Sequence, residues 1–189
     1  MREGSSILKS MVIDVSVFVD YFVVVEGRED RHRIAVEFLN KLSDRGAIVY
    51  EPFVFEVELC AVLVRYIEPK YVTEILEVIL NHIAMIKEDE LHSEAKAIAL
   101  KTGCRAIDAY YIATAKLVDA ILVTNDGVMK SNADRAGVEA YYLAKDYEKL
   151  HRILQVEYNM KQKSFMKQYV PNLIQDHSYI PRNVMLKRR

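Results

Sequence analysis

Four acidic residues stand where an acid is costly unless it does chemistry. Asp14 follows Val12-Ile13 and precedes Val15 inside an apolar run, and a buried carboxylate is stable only when it is paired, hydrogen-bonded or bound to a cation. Asp126 closes the apolar run Ile121-Leu122-Val123 through Thr124-Asn125, just past an expected internal strand. Asp108 lies in Arg105-Ala106-Ile107-Asp108-Ala109-Tyr110-Tyr111-Ile112-Ala113, whose small, apolar and aromatic residues predict a buried first helical turn. Glu58 lies in the segment from Pro52 to Arg65, a helix expected to be apolar almost all round. Each acid also has a plain structural reading. Asp14 could cap a turn. Asp126 could cap the next helix from an Asp-Gly turn. Asp108 could serve the N-terminus of its helix. Glu58 could pair with Arg65, seven residues on along the same face, and Glu56 competes with it on periodicity alone. Ser16 and Asp20 are close enough in sequence to support Asp14 or to face the same site.

Four acids converging on one point would repel one another severely. A hard cation relieves that repulsion, and Mg²⁺ or Mn²⁺ prefers carboxylate and water oxygens. Two such ions can activate water and steady the leaving oxygen of a phosphodiester. A phosphatase that uses an aspartate nucleophile expects a second acid two residues later, and Ser16 holds that place here.

The acids need elements to bring them together. Residues 11–19 (MVIDVSVFV) read as a buried strand, and 29–44 as a helix with Ala35, Phe38, Leu39 and Leu42 on one stripe. Ala47 to Tyr50 is a short strand, and Pro52 is expected to open a helix running to about Tyr66. Residues 70–81 predict an amphipathic helix, and Ile83 to Ile86 a strand. Helices over 89–101 and 106–118 follow, the first stopped by Gly103. Ala120 to Thr124 is a strand, a short helix near 127–136 ends at Gly137, and Val138 to Leu143 is the last strand. Short apolar strands alternating with helices predict an α/β fold, a mostly parallel sheet covered by helices on both faces. Active sites in such sheets lie beyond the carboxyl ends of the strands, at a switch in strand order.

Half of the 189 residues are apolar, enough for one packed domain, and the formal net charge is −1. That balance carries no whole-chain signature of nucleic-acid binding, but the charge is uneven. Residues 145–189 hold ten Lys and Arg against four Asp and Glu, so a basic extension follows an acidic body. The division expected is an N-terminal arm over 1–10, a catalytic domain over 11–144 and a helical or irregular basic extension over 145–189. Cys60 and Cys104 have no Cys or His neighbours at zinc spacing and read as buried thiols. The apolar run from Met11 to Val25 is broken by Asp14, Ser16, Asp20 and Tyr21, so no membrane span is expected and a soluble cytoplasmic protein is the default.

Taken in order, four segments resemble the PIN domain family, the fold of VapC-type toxins and of several RNA-processing nucleases. They are Ile13-Asp14-Val15-Ser16-Val17-Phe18, Pro52 followed six residues later by Glu58, Asp108-Ala109-Tyr110-Tyr111-Ile112-Ala113, and Leu122-Val123-Thr124-Asn125-Asp126. The resemblance covers residues 11–143 and implies a three-layer α/β/α sandwich with endoribonuclease activity dependent on Mg²⁺ or Mn²⁺. It implies that Asp14, Glu58, Asp108 and Asp126 form the catalytic and metal-holding quartet, favouring Glu58 over Glu56 through the spacing from Pro52. Ser16 and Thr124 match the hydroxyl positions that support the first and last acids. RNA is the implied substrate, and VapC-type members add a cognate antitoxin and a homodimer as partners. The long basic extension departs from those toxins. It leaves open an RNA-processing enzyme, or a binding module of the same fold with weak catalysis.

Overall fold

Two apolar runs become strands with every residue buried: β1 (Met11–Ile13) and β4 (Ile121–Thr124). They pair in parallel with Met11, Val12 and Ile13 opposite Ile121, Leu122 and Val123. The computed structural model describes residues 9–156. Between the two strands run α1 (Val15–Phe22), α2 (Glu29–Arg45), β2 (Tyr50–Pro52), α3 (Val54–Leu63), α4 (Pro69–Leu80), β3 (Ala84–Ile86), α5 (Glu88–Thr102) and α6 (Ala106–Leu117). After β4 come α7 (Gly127–Ala136), β5 (Ala140–Tyr142) and α8 (Leu143–Val156).

All pairings are parallel. β5 lies on the far side of β4, and β2 pairs with β3. The two groups meet at a bridge between Met11 and Val49, beside which the Met11 amide donates to the Ile48 carbonyl at 2.9 Å. The spatial order is therefore β3-β2-β1-β4-β5. The chain leaves β1 toward β2 on one side and later returns from β3 to β4 on the other. The carboxyl ends of β1 and β4 thus flank a switch point, where a crevice opens. On one face α1 packs on α2 and α3, α3 on α4, and α8 on α2; on the other, α5 packs on α6 and α7. This is the expected three-layer α/β/α sandwich. The core holds Met11, Ile13, Phe38, Phe55, Leu59, Tyr111, Ile112 and Leu122 among others, all essentially inaccessible to solvent.

Several boundaries differ from expectation. The predicted strand over 11–19 is a strand only to Ile13; from Val15 the chain is helical. Valine's reluctance to be helical is worth only a few tenths of a kcal/mol (about 0.5). It is outweighed by burial of Val15, Val17, Phe18 and Tyr21 in the core. Pro52 does not open a helix. It ends β2, opposite Ile86, and the helix begins at Val54. The Phe53 amide bonds the Ile86 carbonyl at 3.0 Å, so the nitrogen of Pro52 faces the other side, toward β1. There the two strands have already parted, and a missing N–H loses no ladder bond. The strand expected over 47–50 is correspondingly shifted to Tyr50–Pro52, with Val49 making only the bridge. The stops at Gly103 and Gly137 hold: both adopt the left-handed conformation, φ 68° and 85°, which favours glycine.

The first part of the basic extension packs on the body. Leu150 and Leu154 of α8 are buried in the core, and Lys41 of α2 donates to the Tyr147 hydroxyl at 2.9 Å. The remainder of the helical or irregular extension expected over 145–189 lies outside the described residues, as do most of residues 1–10. Cys60 and Cys104 are free and half-buried rather than fully buried. Among the described residues no helix is long and apolar enough to cross a membrane.

Candidate active site

Asp14 is the first residue after β1. Its amide still follows the sheet, donating to the Val123 carbonyl at 3.0 Å, while its carbonyl accepts from Val17 and starts α1. The carboxylate is 6% exposed, and two hydroxyls hold it. Ser16, brought back by the first turn of α1, donates to Oδ2, and Thr124 at the end of β4 donates to the same oxygen at 2.7 Å. Each hydroxyl also accepts an amide from the β4–α7 turn. Ser16 Oγ takes Asn125 N at 2.9 Å, and Thr124 Oγ1 takes Asp126 N at 2.8 Å. The two strand ends are thus tied together through Asp14. Burial holds the Asp14 carboxyl above its ordinary pKa, the two hydroxyls oppose that, and the charge of Asp108 adds to it.

Asp126 caps α7 and faces the crevice at once. Its Oδ1 accepts from Val128 N at 2.7 Å and Met129 N at 3.2 Å. Its Oδ2 accepts from Arg105 at 2.9 Å. The capping role read from the Asp-Gly turn is therefore real, and it leaves one oxygen free to point elsewhere. Asp108 sits buried in the first turn of α6, both oxygens gripped by the Arg105 guanidinium at 3.0 Å.

Glu58 lies on α3 and is half-buried, whereas Glu56 is exposed. Its Oε2 accepts from the Tyr111 hydroxyl at 2.8 Å. Tyr111 on α6, and not Arg65, is the partner; among the described residues no ion pair joins Arg65 to Glu58. Burial pushes the Glu58 pKa up to about 7; the Tyr111 bond opposes this, Asp14 and Asp108 add to it, and Arg105 opposes it. Asp14, Glu58 and Asp108 therefore feel one another's charge, and Arg105 links Asp108 to Asp126. Four acids from four different connections gather at the switch point. Among the described residues no three Asp, Glu, His or Cys side chains close on a common point as an ion's ligands do. Arg105 spans Asp108 and Asp126 instead.

The family model described as PIN domain matches residues 11–134, two thirds of the chain and a stretch that contains all four acids. The chain belongs to the PIN domain family. A KH- and PIN-domain-containing protein of Methanocaldococcus jannaschii is 30% identical over 158 residues, covering 80% of this chain and 23% of that protein. The chain thus spans about a quarter of the length of this relative. Among solved structures, PAE2754 of Pyrobaculum aerophilum aligns with a TM-score of 0.53 at 13% identity, over 79% of this chain and 92% of that one. FitAB bound to an IR36 DNA fragment aligns with the same TM-score of 0.53 at 17% identity, over 69% and 93%. Both likenesses are of fold.

Within the PIN fold, four residues near the acids escaped sequence reasoning. Arg105 and Tyr111 are among them. Asn125 donates to Asp20 at 2.7 Å and accepts from Ala144 N at 3.0 Å, joining α1 and α8 to the turn that carries Asp126. Asp20 also takes two bonds from Arg31 and so braces the frame. Glu51 is wholly buried, its Oε1 accepting from Ile13 N at 2.9 Å and its Oε2 unpartnered. Only Arg105 carried a usable signal in the sequence: a cation one helical turn before a buried acid.

Proposed function

We propose that this PIN domain is an endoribonuclease that hydrolyses RNA phosphodiester bonds with Mg²⁺ or Mn²⁺ held by Asp14, Glu58, Asp108 and Asp126. The gathering of these four carboxylates at the β1–β4 switch point carries the reading. All the donors are oxygens, and two of them are pushed toward holding a proton by burial and by their acidic neighbours. Such a set fits a hard divalent cation, which would satisfy the surplus negative charge. When bound, the cation supplies polarisation of a phosphoryl oxygen and activation of water. The chain's own residues do the rest. Ser16 and Thr124 fix the Asp14 carboxylate. The α7 amides hold one oxygen of Asp126 so that the other is aimed into the crevice. Tyr111 orients Glu58, whose carboxyl pKa is pushed up to about 7 by burial in the cation-free protein.

RNA as the substrate is supported by the Methanocaldococcus relative, because KH domains hold single-stranded RNA. It is also supported by the charge of residues 157–189, with seven Lys and Arg against two Asp and Glu. RNA processing is one setting for such an activity. The toxin reading, with an antitoxin partner and a homodimer, is separated from it by expression. A toxin arrests growth, and a protein encoded beside it relieves the arrest.

The test of the activity is incubation with a mixed RNA pool and a matched DNA pool in Mn²⁺ or Mg²⁺, with and without chelator. Cation-dependent fragmentation of RNA is expected. Intact RNA across varied sequences and structures would instead leave a binding module of this fold.

A further inference from the structure

We propose that Arg105 is the site's built-in counter-ion, a tethered guanidinium that holds Asp108 and Asp126 together in the cation-free protein and must leave them before a divalent cation binds. The proposal rests on the reading of these acids as cation ligands.

The geometry is specific. Nε and Nη2 of Arg105 meet the two oxygens of Asp108, each at 3.0 Å, a fork against a carboxylate. Nη2 also reaches Asp126 Oδ2 at 2.9 Å. The other oxygen of Asp126 is occupied by two α7 amides. One guanidinium thus takes both oxygens of Asp108 and the one oxygen of Asp126 that faces the crevice. These are the atoms a cation would need. Asp108 lies three residues from Arg105 in the chain and Asp126 lies 21, on a different connection, so the closeness of the two acids is a tertiary event. Without a positive charge between them they would push apart.

The position of the side chain makes it removable. Arg105 is 70% exposed while the Asp108 side chain beneath it is 5% exposed. A cation arriving from solvent therefore meets the guanidinium first. The exposed guanidinium has open solvent to move into, so a cation that several carboxylates share displaces it. The consequence is a threshold: the acids stay assembled without a cation, and the site fills only when the cation outcompetes the arm.

The experiment is Mn²⁺ titration of the full chain by calorimetry and electron paramagnetic resonance, for wild type, Arg105→Ala, Arg105→Lys and Asp108→Asn. Arg105→Ala is expected to bind Mn²⁺ up to about fivefold more tightly, the change that removing one exposed ionic competitor gives. Arg105→Lys is expected to move in the same direction, because an ammonium keeps the charge but has no planar fork to span two carboxylates. Equal or weaker affinity in Arg105→Ala would overturn the proposal. So would Arg105→Lys behaving as wild type, which would make Arg105 a background charge. If wild type binds Mn²⁺ and Asp108→Asn does not, the ligand reading stands whatever Arg105 does; if wild type binds none, both readings fall.

Discussion

Asp14 is surrounded by groups arranged to hold a carboxylate in one orientation. Both hydroxyls that reach it spend their single proton on it and use a lone pair to anchor the next turn. Thr124→Val keeps the volume and removes both bonds. It is expected to lower cation affinity and cleavage by roughly 10- to 100-fold, the usual effect of losing a partner that orients a ligand, as measured by Mn²⁺ titration and initial rates. Glu58 gives a prediction in pH. Its folded pKa of about 7 lies above its ordinary value of 4.5, so the folded protein holds the extra proton. Stability from this group is fully present below about pH 4.5 and is lost as pH rises through 7. In chelator, Glu58→Gln is therefore expected to melt higher than wild type at pH 8 and to match it at pH 4; an equal difference at both pH values would reject the coupling. The acids were readable from the sequence because a charge inside an apolar run is conspicuous. Periodicity alone left Glu56 and Glu58 open and the resemblance favoured Glu58 through the spacing from Pro52; in the fold Glu56 is exposed and Glu58 accepts from Tyr111. Tyr111 was missed because its partner lies 53 residues away in the chain, and Arg105's link to Asp126, 21 residues away, was equally out of reach, although its pairing with Asp108 three residues on was not.

Elements position these side chains through where they stop. β1 ends at Ile13, and the change from strand to helix at Asp14 is what brings Ser16 back to it. The sequence showed an unbroken valine-rich run there, because valine suits either element once buried, and only the packing of α1 decides. The same holds at Pro52, which suits a helix start but here ends a strand whose neighbour has moved away. In that parting Glu51 stands in for a backbone carbonyl, accepting the amide of Ile13 one residue before Asp14. Burial holds its carboxyl well above the ordinary range; the Ile13 bond opposes this, and Asp14 and Glu58 add to it. Glu51→Gln keeps an acceptor without a charge and is expected to fold with equal or greater stability at pH 8. Glu51→Leu leaves the Ile13 amide unpaired and is expected to cost about 1–3 kcal/mol in denaturant unfolding. If the leucine variant were as stable as the glutamine variant, the bridging role of Glu51 would be wrong.

At the scale of the molecule, the alternation of strands and helices and the parallel three-layer fold followed from periodicity alone. The extent of the body did not. α8 was read as part of the basic extension, yet Leu150 and Leu154 lie in the core and Asn125 accepts from its first turn. Leu150→Ala is expected to destabilise the whole fold by about 2–5 kcal/mol. Any test of the basic tail must therefore keep α8. Deleting 157–189 is expected to weaken RNA binding and flatten its salt dependence if those charges meet phosphates; an unchanged slope would reject that role. The central claim is that the gathered carboxylates cleave RNA with a divalent cation. Its most direct measurement compares wild type with Asp14→Asn on mixed RNA in Mn²⁺, with circular dichroism to show that both are folded. The expected result is cation-dependent cleavage by wild type and its loss, by about 100-fold or more, in a folded variant, since a ligand matters at least as much as its orienting partners. Undiminished cleavage by folded Asp14→Asn would contradict the account.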